Sequence, residues 1–217
     1  MVDDAGMQIA LALYPGFTAL DIVGPFQTLV DVPGVETSFV AAAAGPVTDH
    51  TGRLTLVATD SFANVTAPDV IVVPGGLVEP TGADDPVVQW IRAVHPTTTW
   101  TTSVCTGSLF LATAGVLDGV DATGHWAAMD RLAALGACPT GARVVERGKV
   151  MTAAGVSAGI DMGLTLLGRM FGDDMARAIQ LAIEYDPQPP FDAGAPSKVS
   201  PELLAFVGEI MGVTSPA

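Results

Sequence analysis

Apolar residues along this chain fall in short runs that alternate between two periods. Residues 7–14, MQIALALY, are almost continuously apolar and stop at Pro15-Gly16, the pattern of a strand buried on both faces. Residues 20–30 change period: Leu20, Val23, Phe26, Leu29 and Val30 recur at helical spacing, irregular at Gly24-Pro25, until Asp31-Val32-Pro33-Gly34 ends them. Residues 37–43 predict a second strand, and the polar stretch 48–63 a hairpin around Gly52. Val70-Ile71-Val72-Val73 is a buried strand running into Pro74-Gly75-Gly76, and residues 86–94 are helical.

The alternation continues through the second half. Residues 100–104 predict a strand, and from Gly107 onward Leu109, Phe110, Thr113, Val116 and Leu117 mark one face of a helix, so the period changes at Cys105. Residues 126–135 read as a helix, 143–146 and 149–152 as two strands about Arg147-Gly148, and 159–171 and 174–183 as helices. Gly155, Gly159 and Gly163 recur every four residues, which would let a helix lie close against the sheet. A proline-rich surface run over 186–196 precedes a last short helix at 202–211. Strands alternating with helices predict an α/β fold: a doubly wound, mostly parallel sheet with helices on both faces.

Composition narrows the class. The 217 residues suit a single domain over 1–217, and 49% hydrophobic against 15% charged residues places the chain far from disordered compositions. The apolar surplus fits a homodimer interface, although a strand-rich parallel core alone would also absorb it. Nine Lys and Arg against 23 Asp and Glu leave a net charge of −14, which argues against nucleic-acid binding. No apolar run reaches the roughly 18 residues of a membrane span. The acidic start, Met1-Val2-Asp3-Asp4, is unlike a secretory signal, and two cysteines in a chain this size predict free thiols and a cytoplasmic location.

In open α/β sheets ligands bind at the carboxyl ends of the strands. Three strand-to-helix turns therefore carry the candidate chemistry: 14–21, Pro74-Gly75-Gly76, and Ser103-Val104-Cys105-Thr106-Gly107. The third resembles a nucleophile elbow, with small residues Ser103 and Gly107 two positions either side of Cys105. A cysteine at a helix amino terminus meets free N–H groups and the positive end of the dipole, so the thiolate is expected to be favoured. Asp21, in an apolar segment, reads on position alone as the N-cap of its helix; beside a sulfur it would instead be a carboxyl holding a proton. The amides of Gly76 and Thr106 would form an anion-stabilising pair. His125 is expected to start a helix rather than to serve as a base, and Cys138 to be incidental in a loop. No metal-ligand spacing, dinucleotide fingerprint or P-loop is present, so no cofactor is expected.

These segments resemble the ThiJ/PfpI superfamily, which is glutamine-amidotransferase-like and flavodoxin-like in fold, and within it the branch that hydrates isocyanides. The likeness rests on Tyr14-Pro15-Gly16 with Leu20-Asp21-Ile22-Val23-Gly24-Pro25, on Pro74-Gly75-Gly76, and on Thr102-Ser103-Val104-Cys105-Thr106-Gly107-Ser108-Leu109. It continues through His125-Trp126, Ala158-Gly159-Ile160-Asp161, Glu184-Tyr185 and Pro189-Pro190-Phe191-Asp192-Ala193-Gly194. Other branches carry a glutamate at the acidic position and often a histidine after the cysteine; here these are Asp21 and Thr106. The resemblance implies a cofactor-independent lyase that adds water to an isocyanide to give an N-formamide, with Cys105 as nucleophile, a thioimidate intermediate and Asp21 as proton donor. One departure is Ala153-Ala154-Gly155-Val156, where a glycine-richer run is expected. Three rival readings stand beside it. They are a ligand-sensing module like those of AraC-type regulators, a redox sensor whose cysteine is oxidised, and glyoxalase-like aldehyde chemistry.

Overall fold

The computed structural model describes residues 6–211. Its contacts group the chain into a large unit up to Ile183 and a small one from Glu184 onward. In the large unit the elements run β1 (Met7–Ala12), α1 (Ala19–Leu29), β2 (Val35–Ala41), β3 (Gly45–Thr48), β4 (Thr55–Ala58), β5 (Asp60–Ser61), β6 (Val70–Val73) and α2 (Pro86–Val94). They continue with β7 (Trp100–Val104), α3 (Gly107–Thr113), β8 (Asp121–Ala122), α4 (Met129–Ala134), β9 (Cys138–Pro139), β10 (Val144–Arg147), β11 (Val150–Ala153), α5 (Ala158–Phe171) and α6 (Asp173–Ala182). The small unit contains the proline-rich run and α7 (Pro201–Ile210).

Seven strands form one sheet in the order β10-β11-β7-β6-β1-β2-β5, parallel throughout except for the antiparallel β10/β11 pair. The doubly wound expectation holds. Helices α1, α5 and α6 pack together, as do α2 and α3. Val70, Ile71, Val72 and Val73 of β6 have no exposed surface. Each such burial contributes roughly 1.5–3 kcal/mol, which explains why the central strands read as unbroken apolar runs. β1 lies between β2 and β6, so the strand order reverses there and a crevice opens at the carboxyl ends of β1 and β6. The loops leaving the adjacent strands β1, β6, β7 and β11 meet at that end.

Several local expectations are refined. The hairpin around Gly52 is β3/β4, pairing Thr48 with Thr55, but it begins at Gly45, and β5 leaves it to join the sheet edge. Residues 126–135 begin as a 3-10 turn, Trp126–Ala128, before α4. Cys138 lies in a two-residue strand, β9, paired with β8, rather than in a loop. Of the three spaced glycines, Gly163 faces Thr28 of α1, and Gly159 faces both Pro25 of α1 and Val104 of β7. The glycine stripe thus mainly brings α5 against α1, whose own Gly24 faces Ile160 in return. The irregularity expected at Gly24-Pro25 does not interrupt α1, which is helical through Pro25, whose carbonyl accepts from Thr28 Oγ1 at 2.7 Å.

Candidate active site

Cys105 is the turn between β7 and α3, with φ at 60°, in the left-handed region that a non-glycine residue enters at a cost of roughly 1–3 kcal/mol. Neighbours hold it there. Its N–H donates to the carbonyls of Ala153 and Ala154, both at 3.0 Å, and its carbonyl accepts from Ser108 Oγ at 3.1 Å. Gly107 must lack a side chain, because a Cβ there would strike the carbonyl oxygens of Val73 and Pro74. The elbow expected from the small flanking residues is therefore formed. Cys105 is buried, with 6% of its surface exposed.

Asp21 is not the N-cap of α1. Thr18 holds that position, and Asp21 lies in the first turn with no exposed surface. Its Oδ2 accepts from the Gly75 N–H at 2.8 Å, while Oδ1 is buried without a conventional hydrogen-bond partner. The Cys105 thiol is the side chain beside this carboxyl and interacts with it as a hydrogen-bonding neighbour. Gly75 allows the approach: a Cβ there would lie 2.5 Å from the Thr106 nitrogen and 2.9 Å from Asp21 Oδ2. The backbone N–H groups of Val156 and Thr106 lie near enough to the Cys105 sulfur to favour its charged form.

Burial raises the Asp21 carboxyl to about 7, against the partial opposition of the Gly75 N–H and the thiol. Burial, and then the Asp21 charge, push the Cys105 thiol up to about 12, opposed by the Val156 and Thr106 N–H groups. This corrects the sequence expectation of a favoured thiolate. Two backbone donors and a short helix do not outweigh desolvation plus a neighbouring carboxylate. Near neutral pH the resting pair is a thiol beside a carboxyl poised to take its proton.

Thr106 Oγ1 accepts from the Gly76 N–H and donates to the Gly76 carbonyl, each at 2.9 Å. Gly76 is thus clipped to the elbow, its N–H taken by the Thr106 hydroxyl, while the Thr106 N–H lies beside the Cys105 sulfur. His125 starts the 3-10 turn, its Nδ1 accepting from the Ala127 N–H at 3.3 Å, and burial lowers its pKa. Its ring edge covers Gly155, where a Cβ would lie 2.7 Å from Cδ2. Cys138 is exposed and in a different part of the fold from Cys105.

Three participants are not apparent in the sequence pattern. Gly75 carries the N–H that fixes Asp21, a role its Pro-Gly-Gly setting hints at. Tyr14 donates its hydroxyl to the Pro74 carbonyl at 2.9 Å, and burial with the nearby Asp21, Cys105 and Asp85 charges raises its pKa well above the ordinary value. Val156 supplies an N–H to sulfur from a backbone with φ at 32°, a conformation that β-branched residues ordinarily avoid. Behind it, Arg143 pairs with Asp161 and donates to Ser157 Oγ at 3.2 Å, pinning the start of α5.

An open, mostly parallel α/β sheet with a cysteine elbow at one strand end and a buried carboxyl from the first strand-helix loop defines a class of cysteine-elbow α/β proteins. The chain belongs to the DJ-1/PfpI family, whose model matches residues 7–169. It is 44% identical over 191 residues to an isonitrile hydratase of Pseudomonas putida, covering 88% of this chain and 83% of that one. It is 33% identical over 126 residues to the HTH-type transcriptional regulator GbdR of Pseudomonas aeruginosa, covering 57% of this chain and 34% of the regulator. Among solved structures, a ThiJ/PfpI family protein from Pseudomonas syringae superposes with a TM-score of 0.88 at 36% identity, over 95% of this chain and 86% of that one.

Proposed function

We propose that this protein hydrates isocyanides to N-formamides using Cys105 and Asp21, without metal or organic cofactor. The observation that carries the reading is the buried Asp21 carboxyl, fixed by the Gly75 N–H beside the elbow thiol. The 44% identity to an isonitrile hydratase, over most of both chains, supplies the substrate class.

As the sulfur attacks the terminal isocyanide carbon, Asp21 takes the thiol proton and passes it to that carbon, leaving the thioimidate R–N=CH–S–Cys105. Water then adds to the same carbon while a proton, relayed by Asp21, reaches nitrogen. The C–S bond breaks, the hydroxyl proton returns through Asp21 to sulfur, and R–NH–CHO leaves. The Thr106 and Val156 N–H groups stabilise sulfur while it carries charge.

The test is loss of an aryl isocyanide with the formamide identified as product, run beside Cys105→Ala. The native protein is expected to turn over and the variant to fall at least about 1000-fold; equal turnover would remove Cys105 from the reaction. The regulator likeness supports a second reading, a ligand sensor, but it spans only 34% of that relative, against 83% of the hydratase. Saturable isocyanide binding without product would favour the sensor. A homodimer and a cytoplasmic location belong to the same proposal. They are supported by exposed apolar side chains such as Val57 and Leu77 and by two free cysteines, and sedimentation and fractionation test them.

A further inference from the structure

A cavity of about 530 Å³ opens where β1 and β2 run out, and neither Cys105, Asp21, Gly75 nor Thr106 lines it. Its walls come from several elements at the carboxyl side of the sheet. Tyr14 and Phe110 contribute a tilted ring pair with centroids 4.8 Å apart, and Phe62 is braced from behind by Trp90, stacked at 4.8 Å. The space exists because the chain leaves β2 through Ala41, Ala42 and Ala43, which offer only methyl groups. From this arrangement we infer that the cavity is a second binding site, separate from the thiol, for an uncharged apolar small molecule of alkyl or aryl character.

The polar side chains of the lining are already committed. The Tyr14 hydroxyl donates to the Pro74 carbonyl at 2.9 Å. Asp85 Oδ1 accepts from the Val87 N–H at 2.9 Å, and Oδ2 from the Thr81 N–H and hydroxyl, both at 3.2 Å, which caps α2. A ligand therefore finds rings, methyls and proline edges, with no side-chain donor free to orient a charged group. The Asp85 carboxylate and the chain's net charge of −14 act further against an anion. The volume lies inside the roughly 300–1,000 Å³ of small-molecule sites.

The site adjoins the elbow without being part of it. Phe110 lies on α3, five positions beyond Cys105, and Tyr14 is tied to Pro74, the neighbour of the glycine that holds Asp21. An occupant would touch both rings without touching the thiol. The inference stands independently of the hydratase reading.

Titration of the full chain with toluene, followed by aromatic NMR resonances, tests it. Saturable shifts of the Tyr14, Phe62 and Phe110 rings are expected, with benzoate at least about tenfold weaker. Cys105→Ala should bind toluene as the native chain does. Ala42→Phe and Ala43→Leu, substitutions at exposed positions, should each weaken binding at least about tenfold by filling the space. No saturable shift, benzoate binding as tightly as toluene, loss of binding in Cys105→Ala, or full binding in both filled variants would overturn the inference. A hydratase assay without product would leave every one of these outcomes unchanged.

Discussion

Burial acts on Cys105 and Asp21 in the same direction, keeping protons on both, and their proximity then makes one carry the charge the other cannot. With the carboxyl near 7 in the free protein, kcat/KM for the proposed hydration should rise with pH through about 7, as Asp21 ionises to accept the thiol proton. A profile flat from pH 5 to 9 would remove Asp21 from that role. Asp21→Asn separates two effects. Turnover should fall at least about 100-fold, while the Cys105 thiol, relieved of a neighbouring charge, should titrate lower, read as thiolate absorbance in a Cys138→Ser background. Stability gives a further readout. The folded pKa of Asp21 is raised above its unfolded value, so between about pH 4 and 7 the folded chain holds a proton that the unfolded chain releases. Its contribution therefore worsens as pH rises through that window. Asp21→Asn should flatten the slope and add roughly 2–4 kcal/mol at pH 8 in urea unfolding.

Between elements, the closest constraint is α5 on α1. A Cβ at Gly163 would run into Thr28 Oγ1, the hydroxyl that donates to the Pro25 carbonyl. Gly163→Ala should destabilise by roughly 1–3 kcal/mol through overpacking, even though alanine is the better helix former by about 1 kcal/mol. In a Thr28→Ala background the same change should cost little or nothing, a coupling that a double-mutant cycle measures directly. The glycine spacing shows that something packs closely against α5, but a period cannot say whether that surface is a sheet or another helix. The partner is set by the strand order, which brings α1 alongside.

Over the whole molecule, acidic side chains outnumber basic ones by 23 to nine. Basic side chains are largely taken up in exposed ion pairs such as Arg147 with Asp121, at 2.6 Å, and Arg169 with Glu146, at 2.8 Å. Exposed pairs of this kind each contribute about 0–1 kcal/mol, whereas a net charge of −14 repels itself throughout the fold. Raising NaCl from about 20 to about 300 mM should therefore raise Tm by screening the repulsion. A falling Tm would mean that the ion pairs dominate instead.

The sequence by itself determined the order of the main strands and helices, the parallel sheet and the elbow at Cys105, though not the two-residue strands β5, β8 and β9, because each of these readings depends on local rules: two-sided burial makes continuous apolar runs, and a tight strand-helix turn needs small neighbours. It also singled out Asp21 as an odd carboxyl in an apolar segment. Only the tertiary structure decided what that carboxyl touches. Position along α1 suggested a cap, yet the side chain crosses to the Gly75 N–H, fifty-four residues away in sequence. The strand order β11-β7-β6-β1 brings Val156, Cys105, Gly75 and Asp21 to one end of the sheet. The protonation state followed the same division. Helix position alone favours a thiolate, while burial and the neighbouring charge, which depend on residues distant in the chain, leave a thiol.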